Sequence, residues 1–278
     1  MRRQDISVLV FYYLGYSKLR NLVFRIKGLP IARFVLFHDI PEKAKNRFRN
    51  HLTFLKIKTN VVSIDDFFEG RLSTKKINTV ITFDDGFKSW VTFAIPLLKE
   101  LNLPATFFIS SGFVGLPIEE EKNFIKMNLF LKQKPHFDIS GSLTVDDVKK
   151  IAKEGFTIGS HTLSHCNLMK IDNIDLLKKE LVEDKDRLEM ISKKKIRYFS
   201  YPFGYYKNSL FDLEELLKKI GYRGAVTTIS GPNTVISNPY TLHREITYAS
   251  MLKNVFRARV YGNYDAVKSI KRIIHNIC

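Results

Sequence analysis

The sequence predicts an α/β fold built on a mostly parallel sheet or barrel, and three observations carry that reading. Strand-like and helix-like stretches alternate, most clearly where a strand at 79–83 is followed by a helix at 90–101 and a strand at 105–109. Parallel strands need such crossovers, so the alternation points to βαβ units. Next, the β-prone run Val80-Ile81-Thr82-Phe83 leads straight into Asp84-Asp85-Gly86, a buried strand ending at a polar rim, which is where α/β proteins keep their chemistry. Finally, a chain of 278 residues that is 45% hydrophobic can bury one large core and is poor material for disorder.

The chain opens with Met1-Arg2-Arg3 and a mostly apolar run over residues 6–16, which resembles the first two regions of a signal peptide. No small-residue cleavage site follows. Tyr12, Tyr13, Tyr16, Lys18, Arg20 and Arg25 break the run well short of the ~20 residues of a membrane-spanning helix. Residues 1–31 therefore read as a helical extension, either docked on the core or lying on a membrane surface, ahead of a single domain over residues 32–278. A location in the cytoplasm, near a membrane, is the corresponding expectation.

After Lys27-Gly28-Leu29-Pro30, a strand at 32–37 ends in His38-Asp39-Ile40-Pro41. His38 thus occupies on one strand the position that Asp84 occupies on another, although a lone His there also suits a purely structural role. A helix at 42–51, a short strand at 61–64 and a helical turn at 65–69 lead to the central strand. Successive side chains on that strand point opposite ways, so Asp84 and Asp85 can serve different partners unless a turn bends them together. By itself the pair also fits two solvated turn carboxylates.

Residues 110–141 are less regular, with Glu119 to Glu121 followed by Lys126, Lys132, Lys134, Pro135 and His136, and read as an insertion over the rim. Thr144 and Asp147 form an approximate capping box for a helix whose inner face carries Val148, Ile151 and Ala152, and Gly155 ends it. The strand at 156–159 runs into Ser160-His161-Thr162-Leu163-Ser164-His165. If that segment enters a helix, His161 and His165 lie on one face and can converge on a single ion, as they do in many zinc sites. HxxxH taken alone is a weak signal.

A charged amphipathic helix at 174–191 turns Leu177, Leu181, Leu188 and Ile191 inward. Tyr198-Phe199-Ser200-Tyr201-Pro202-Phe203-Gly204 is an aromatic strand running into a tight turn, which either closes the chain or aims a main-chain N–H into a cleft. A helix at 210–220 closed by Gly221, a strand at 224–228, a strand at 241–247 carrying His243 and Arg244, and a basic surface helix at 268–275 complete the series.

The net charge of +17 favours anionic partners. The lysines are scattered and no aromatic-interleaved basic motif is present, so no specific nucleic-acid partner is expected. With only Cys166 and Cys278, the chain has no disulfide framework, which leaves the compartment open and is compatible with a reducing interior, and Cys166 reads as a small buried neighbour of His165.

Together Thr82-Phe83-Asp84-Asp85-Gly86, the His161 and His165 pair and Phe199-Ser200-Tyr201-Pro202-Phe203-Gly204 closely resemble the polysaccharide deacetylase family, the NodB-like carbohydrate esterases, over about residues 32–248. The resemblance implies a distorted (β/α)7 TIM-like barrel with a divalent metal held at its rim by Asp85, His161 and His165. Zn²⁺ is the expected ion, with Ni²⁺, Co²⁺ or Fe²⁺ as alternatives. It also implies Asp84 as general base and the main-chain N–H of Phe203 as an oxyanion donor. Amide cleavage needs a general acid as well. The segment Leu242-His243-Arg244 is unlike the family's common late Leu-x-His motif and more like the Leu-Pro-Arg segment of a permuted branch acting on poly-N-acetylglucosamine, whose early Tyr-His-Asp supplies the acid. Phe37-His38-Asp39 matches the last two residues of that motif, which favours His38 over His243. Ser200 stands where the family's third motif usually has Arg, and Arg244 is the candidate to orient Asp84 instead.

The resulting expectation is a metal-dependent de-N-acetylase acting on an N-acetylated glycan or a lipid-linked saccharide, with peripheral membrane contact. The alternatives are hydrolysis of another C–N bond and a basic glycan- or nucleic-acid-binding module with a degenerate site.

Overall fold

Residues 3–129, 139–204 and 209–267 are described by a computed structural model of the chain. The expected tail helix at 268–275, and Lys132, Lys134, Pro135 and His136 of the expected insertion, lie outside the described residues.

Where the sequence suggests one N-terminal helix there are two, α1 (Arg3–Tyr13) and α2 (Tyr16–Ile26), because Gly15 takes a left-handed φ of 75° between them. Strand β1 (Ala32–Phe37) and helix α3 (Lys45–Lys58) follow. The strand expected at 61–64 is shorter, β2 (Asn60–Val61), because Ser63 caps α4 (Ile64–Phe68) by accepting from the Asp66 N–H and so starts the helix early.

Strand β3 (Asn78–Asp85) is followed by a wide turn over Trp90–Ala94, α5 (Ile95–Glu100) and β4 (Thr106–Ile109). The stretch expected to be irregular contains a helix, α6 (Ile118–Asn128), with Glu119, Glu120 and Glu121 in its first turn, where acids favour the positive end of the helix dipole. Helix α7 (Val145–Lys153) has the complete Thr144–Asp147 capping box, and β5 (Thr157–Ser160), α8 (Ile174–Ser192) and β6 (Tyr198–Ser200) come next. Helix α9 (Leu213–Ile220) ends at Gly221, and β7 (Gly224–Val226) and β8 (Arg244–Ile246) complete the strands. Helix α10 (Lys253–Val260) has no counterpart in the sequence reading and forms by burying Val255, Phe256 and Val260, and residues 263–267 are helical again.

Among the described residues seven strands run in the order β7-β6-β5-β4-β3-β1-β8, all parallel, with β2 paired to β3 off this path. Val226 bridges to Leu242 just before β8, so the sheet nearly closes into a (β/α)7 barrel with helices around it.

The period-two rule sorts the strand residues into two layers. Phe34, Val80, Phe108, Tyr198, Val226 and Leu242 fill the inside of the barrel. Val35, Phe37, Ile81, Phe83, Phe107, Ile158 and Phe199 face the helices. Gly159 belongs to the inner layer, and a Cβ there would stand 2.4 Å from the Phe108 ring, so only glycine lets the barrel close at that level.

Candidate active site

The inner layer becomes polar toward the C-terminal ends of the strands. On β3 the inward series Val80, Thr82, Asp84 ends in a buried carboxylate, and on β8 Arg244 is also inward and fully buried. Arg244 donates from Nη1 to Asp84 Oδ1 at 2.7 Å and from Nη2 to Oδ2 at 2.6 Å, and its Nε donates to the Thr227 carbonyl at 2.8 Å. Ser200, inward on β6, donates its hydroxyl to Asp84 Oδ2 at 2.9 Å and accepts from Arg244 Nη2 at 2.8 Å. The bidentate pair fixes the plane of the carboxylate. Burial pushes the Asp84 carboxyl up, but Arg244 first, then His161 and His38, outweigh it and hold the group below its ordinary value.

By alternation Asp85 would point away from the barrel. Its φ of 95° turns the chain instead, so that Asp84 and Asp85 both face His161, whose Nε2 lies 3.8 Å from Asp84 Oδ2 and 3.5 Å from Asp85 Oδ1. His165 Nε2 is 3.4 Å from the same Asp85 oxygen. The two imidazoles do not meet on a helix face: residues 161–167 form a loop, with left-handed φ at Thr162 (64°) and His165 (54°) bringing the rings to 4.9 Å. His161 is the inward residue that follows β5, and the loop folds His165 back beside it.

These groups fit a divalent ion. One donor atom from each of Asp85, His161 and His165 lies within 4.8 Å of the others, and all three residues are buried. Ligands about 2.0–2.1 Å from a tetrahedral ion stand roughly 3.4 Å apart, close to the spacing of the Asp85 oxygen from both Nε2 atoms. The outer hydrogen bonds set the tautomers. His161 Nδ1 is 2.7 Å from the Ser200 carbonyl and His165 Nδ1 is 2.8 Å from the Asn128 carbonyl. A carbonyl only accepts, so each Nδ1 carries a hydrogen, and Nε2 is the ring nitrogen that each His turns toward the Asp85 oxygen and would offer to an ion. Burial pushes Asp85 up, yet His38, His161 and His165 together hold it well below the ordinary carboxylate range.

The other expected site residues fall as follows. His38, at the end of β1, acts electrostatically on both Asp84 and Asp85, and its main chain is held by Trp90 Nε1, which donates to its carbonyl at 3.1 Å. Next to it, Asp39 accepts from the Ser89 and Ser140 hydroxyls at 2.6 and 2.7 Å. His243 is the strand neighbour of Arg244 and points the other way, with its ring against Gly231, where a Cβ would stand 2.3 Å from Nδ1. Phe203 has a left-handed φ of 60°, and its ring meets His165 edge-on at 4.8 Å.

Sequence reasoning missed two acids on α8. Asp184, fully buried, accepts from the Ser111 N–H at 2.7 Å, the His161 N–H at 3.1 Å and the Ser160 hydroxyl. One turn earlier, Glu180 accepts from the Ser164 N–H at 2.9 Å and its hydroxyl at 2.7 Å. Their i, i+4 spacing among the apolar positions of α8 was the available signal, since buried acids need partners. The insertion also contributes: Asn128 at the end of α6 supplies the carbonyl that holds His165, and its side-chain amide donates to the Ser164 carbonyl at 2.5 Å.

Comparison with known proteins agrees with this architecture. The sequence is 27% identical over 181 residues to YxkH of Bacillus subtilis, whose name places it among polysaccharide deacetylases, covering 65% of this chain and 55% of that protein. It is 25% identical over 248 residues to a poly-β-1,6-N-acetyl-D-glucosamine N-deacetylase of Staphylococcus aureus, covering 83% of this chain and 76% of the relative. The fold is shared with IcaB from Ammonifex degensii at a TM-score of 0.64 and 19% identity, covering 84% of this chain and 97% of that one. It is likewise shared with the deacetylase PplD of Streptococcus pyogenes at a TM-score of 0.63 and 19% identity, covering 83% and 99%. A family model described as polysaccharide deacetylase matches residues 71–225, more than half of the chain, and the protein belongs to that family.

Proposed function

We propose that the protein is a metal-dependent carbohydrate de-N-acetylase that removes acetyl groups from an amino sugar in a polysaccharide or a lipid-linked glycan. One observation carries this reading: Asp85, His161 and His165 converge as an ion-binding triad beside an ionised, Arg-clamped Asp84 at the mouth of the barrel. The names of the relatives that act on poly-N-acetylglucosamine support the substrate class.

In this reading Asp85 Oδ1 and the Nε2 atoms of His161 and His165 hold the ion, for which zinc suits the donor set best. When bound, such an ion supplies Lewis acidity, making water acidic enough to pass its proton to a carboxylate as weakly basic as Asp84 and polarising the acetamide carbonyl. Asp84 takes the proton of the attacking water, and Arg244 and Ser200 keep its acceptor oxygen aimed. The oxyanion that forms on the acetyl carbon receives the main-chain N–H of Phe203, a donor of a kind worth ~3 kcal/mol in the transition state. His38 gives a proton to the sugar nitrogen as the C–N bond breaks, so that a free amine and acetate leave. Its electrostatic reach to both carboxylates, and the turning away of His243, favour it for this step.

The test is acetate release from N-acetylglucosamine oligomers by the divalent-ion-loaded protein and its Asp84→Asn variant. Release by the wild type, reduced by about a hundredfold or more in the variant, is expected. Equal release by both, or none by the loaded wild type across a panel of N-acetyl sugars, overturns the reading.

A further inference from the structure

Helix α2 is amphipathic the wrong way round for a helix covering a core. Its inward residues, Ser17, Arg20, Asn21 and Phe24, follow the i, i+3, i+4, i+7 pattern of one face, and the first two are held by hydrogen bonds. The Ser17 N–H donates to Asn263 Oδ1 at 3.3 Å, and Arg20 donates to the Gly262 carbonyl at 2.9 Å and the Tyr261 carbonyl at 2.7 Å while pairing with Asp265. The same spacing on the outer face gives Leu19, Leu22, Val23 and Ile26, all exposed, Leu19 by 69% and Ile26 by 75%.

Helix α1 does likewise in part. Val8 is buried against Ala258 and Val267, whereas Val10, Tyr13 and, in the turn that follows, Leu14 face solvent, Tyr13 by 70% and Leu14 by 75%. A surface helix ordinarily does the opposite, turning its apolar stripe to the core. Aliphatic residues gathered on two successive helices, with no other described residue over them, mark an interaction surface.

The charge pattern identifies the partner. Residues 6–38 contain five basic residues and no Asp or Glu. Arg20 and Arg33 are taken up by Asp265, but Lys18 is exposed beside Leu19 and Lys27 is exposed beside Ile26, so cations flank the apolar stripe. A second copy of this chain would set lysine against lysine between two molecules of net charge +17. An anionic lipid surface accepts both features, the aliphatic side chains at the acyl boundary and the ammonium groups among the phosphates. Among the described residues no helix is long and apolar enough to cross a membrane.

We infer that the outer face of α1 and α2 docks the protein on an anionic phospholipid surface, which goes beyond the catalytic assignment and does not depend on it. The test is co-sedimentation of the full chain with vesicles of phosphatidylcholine alone and with phosphatidylglycerol added, for the wild type and a Leu22→Glu/Ile26→Glu double variant. The wild type binds the phosphatidylglycerol vesicles, more weakly at high salt, and the double variant binds about tenfold or more weakly with an unchanged melting temperature. Absence of wild-type binding, or equal binding by the variant, overturns the inference. So does a dimer that the substitutions dissociate while vesicles recruit neither form, since the occupant is then a second copy. Acetate release from a soluble oligosaccharide is the same in both proteins, so failure of the vesicle arm and failure of the deacetylase reading are seen separately.

Discussion

Arg244 shows how much of this site turns on one side chain. It is fully buried, reaches Asp84 through two hydrogen bonds and holds Thr227 and Ser200 as well. Arg244→Ala leaves a buried carboxylate without its counter-charge, which costs on the order of 3–5 kcal/mol of stability and raises the Asp84 pKa by removing its strongest stabiliser. Turnover should fall by about a hundredfold or more, read as kcat alongside a urea unfolding curve. A change within roughly a factor of two, worth only ~0.4 kcal/mol, would remove Arg244 from the machinery. Ser200→Ala takes away one neutral donor and leaves the ion pair, and should cost only about 1 kcal/mol of stability. Cys166, beside His165, has its thiol pushed up to about 12 by burial and by Glu180, which makes it a poor nucleophile at neutral pH.

At the scale of elements, α8 serves as the outer brace of the loop that carries His161 and His165. Asp184 and Glu180 hold Ser160, the His161 main chain and Ser164 from the helix side of the sheet, while Asn128 on α6 holds His165 from the other side. Asp184→Asn keeps the shape but loses an acceptor, and outer-shell losses of this kind weaken ion binding by about 10–100-fold. Competitive titration of the ion against a chelating dye checks it, and unchanged affinity would reduce Asp184 to a packing role. Helices α3 and α10 carry a second test, because His51 stacks on Phe256 at 4.0 Å. Burial, with a smaller contribution from Arg47 and against the Met251 backbone bond, lowers its pKa from the ordinary 6.5 to about 4. As pH falls below about 6.5 the unfolded chain takes up this proton and the folded one does not. The contribution is therefore full above 6.5 and disappears toward pH 4, amounting to about 3 kcal/mol. His51→Phe should flatten that part of the stability profile, and identical slopes for both proteins would refute the assignment.

For the whole molecule, the barrel interior changes from an apolar floor around Phe34, Val80 and Tyr198 to a charged mouth. Closing such a mouth without an ion gathers Asp84 and Asp85 beside two inward-turned imidazoles, so an ion that binds only the folded state should stabilise it. At a hundred to a thousand times its Kd the gain is about 3–4 kcal/mol. Chelation should thus lower the melting temperature of the wild type and leave that of His161→Ala where it already is, as thermal unfolding with and without chelator will show. An equal response in both proteins would place the ion elsewhere.

The sequence by itself determined the strands, most of the helices and the rim residues, because period-two apolar runs ending in Asp84-Asp85, in His38 and in His161 are local patterns that burial enforces. It determined Thr144 as a cap and Gly221 as a helix stop for the same reason, since both depend only on near neighbours. Only the tertiary structure decided that His161 and His165 meet through a loop, that Asp85 turns inward through a positive φ, and that Asp184 braces that loop from α8. It also decided that α2 carries its polar face inward. Each of these depends on partners far away in the chain, Ser200 for His161, Asn128 for His165 and Tyr261 for Arg20, and a backbone conformation or tautomer fixed by a distant carbonyl leaves no trace in local residue spacing.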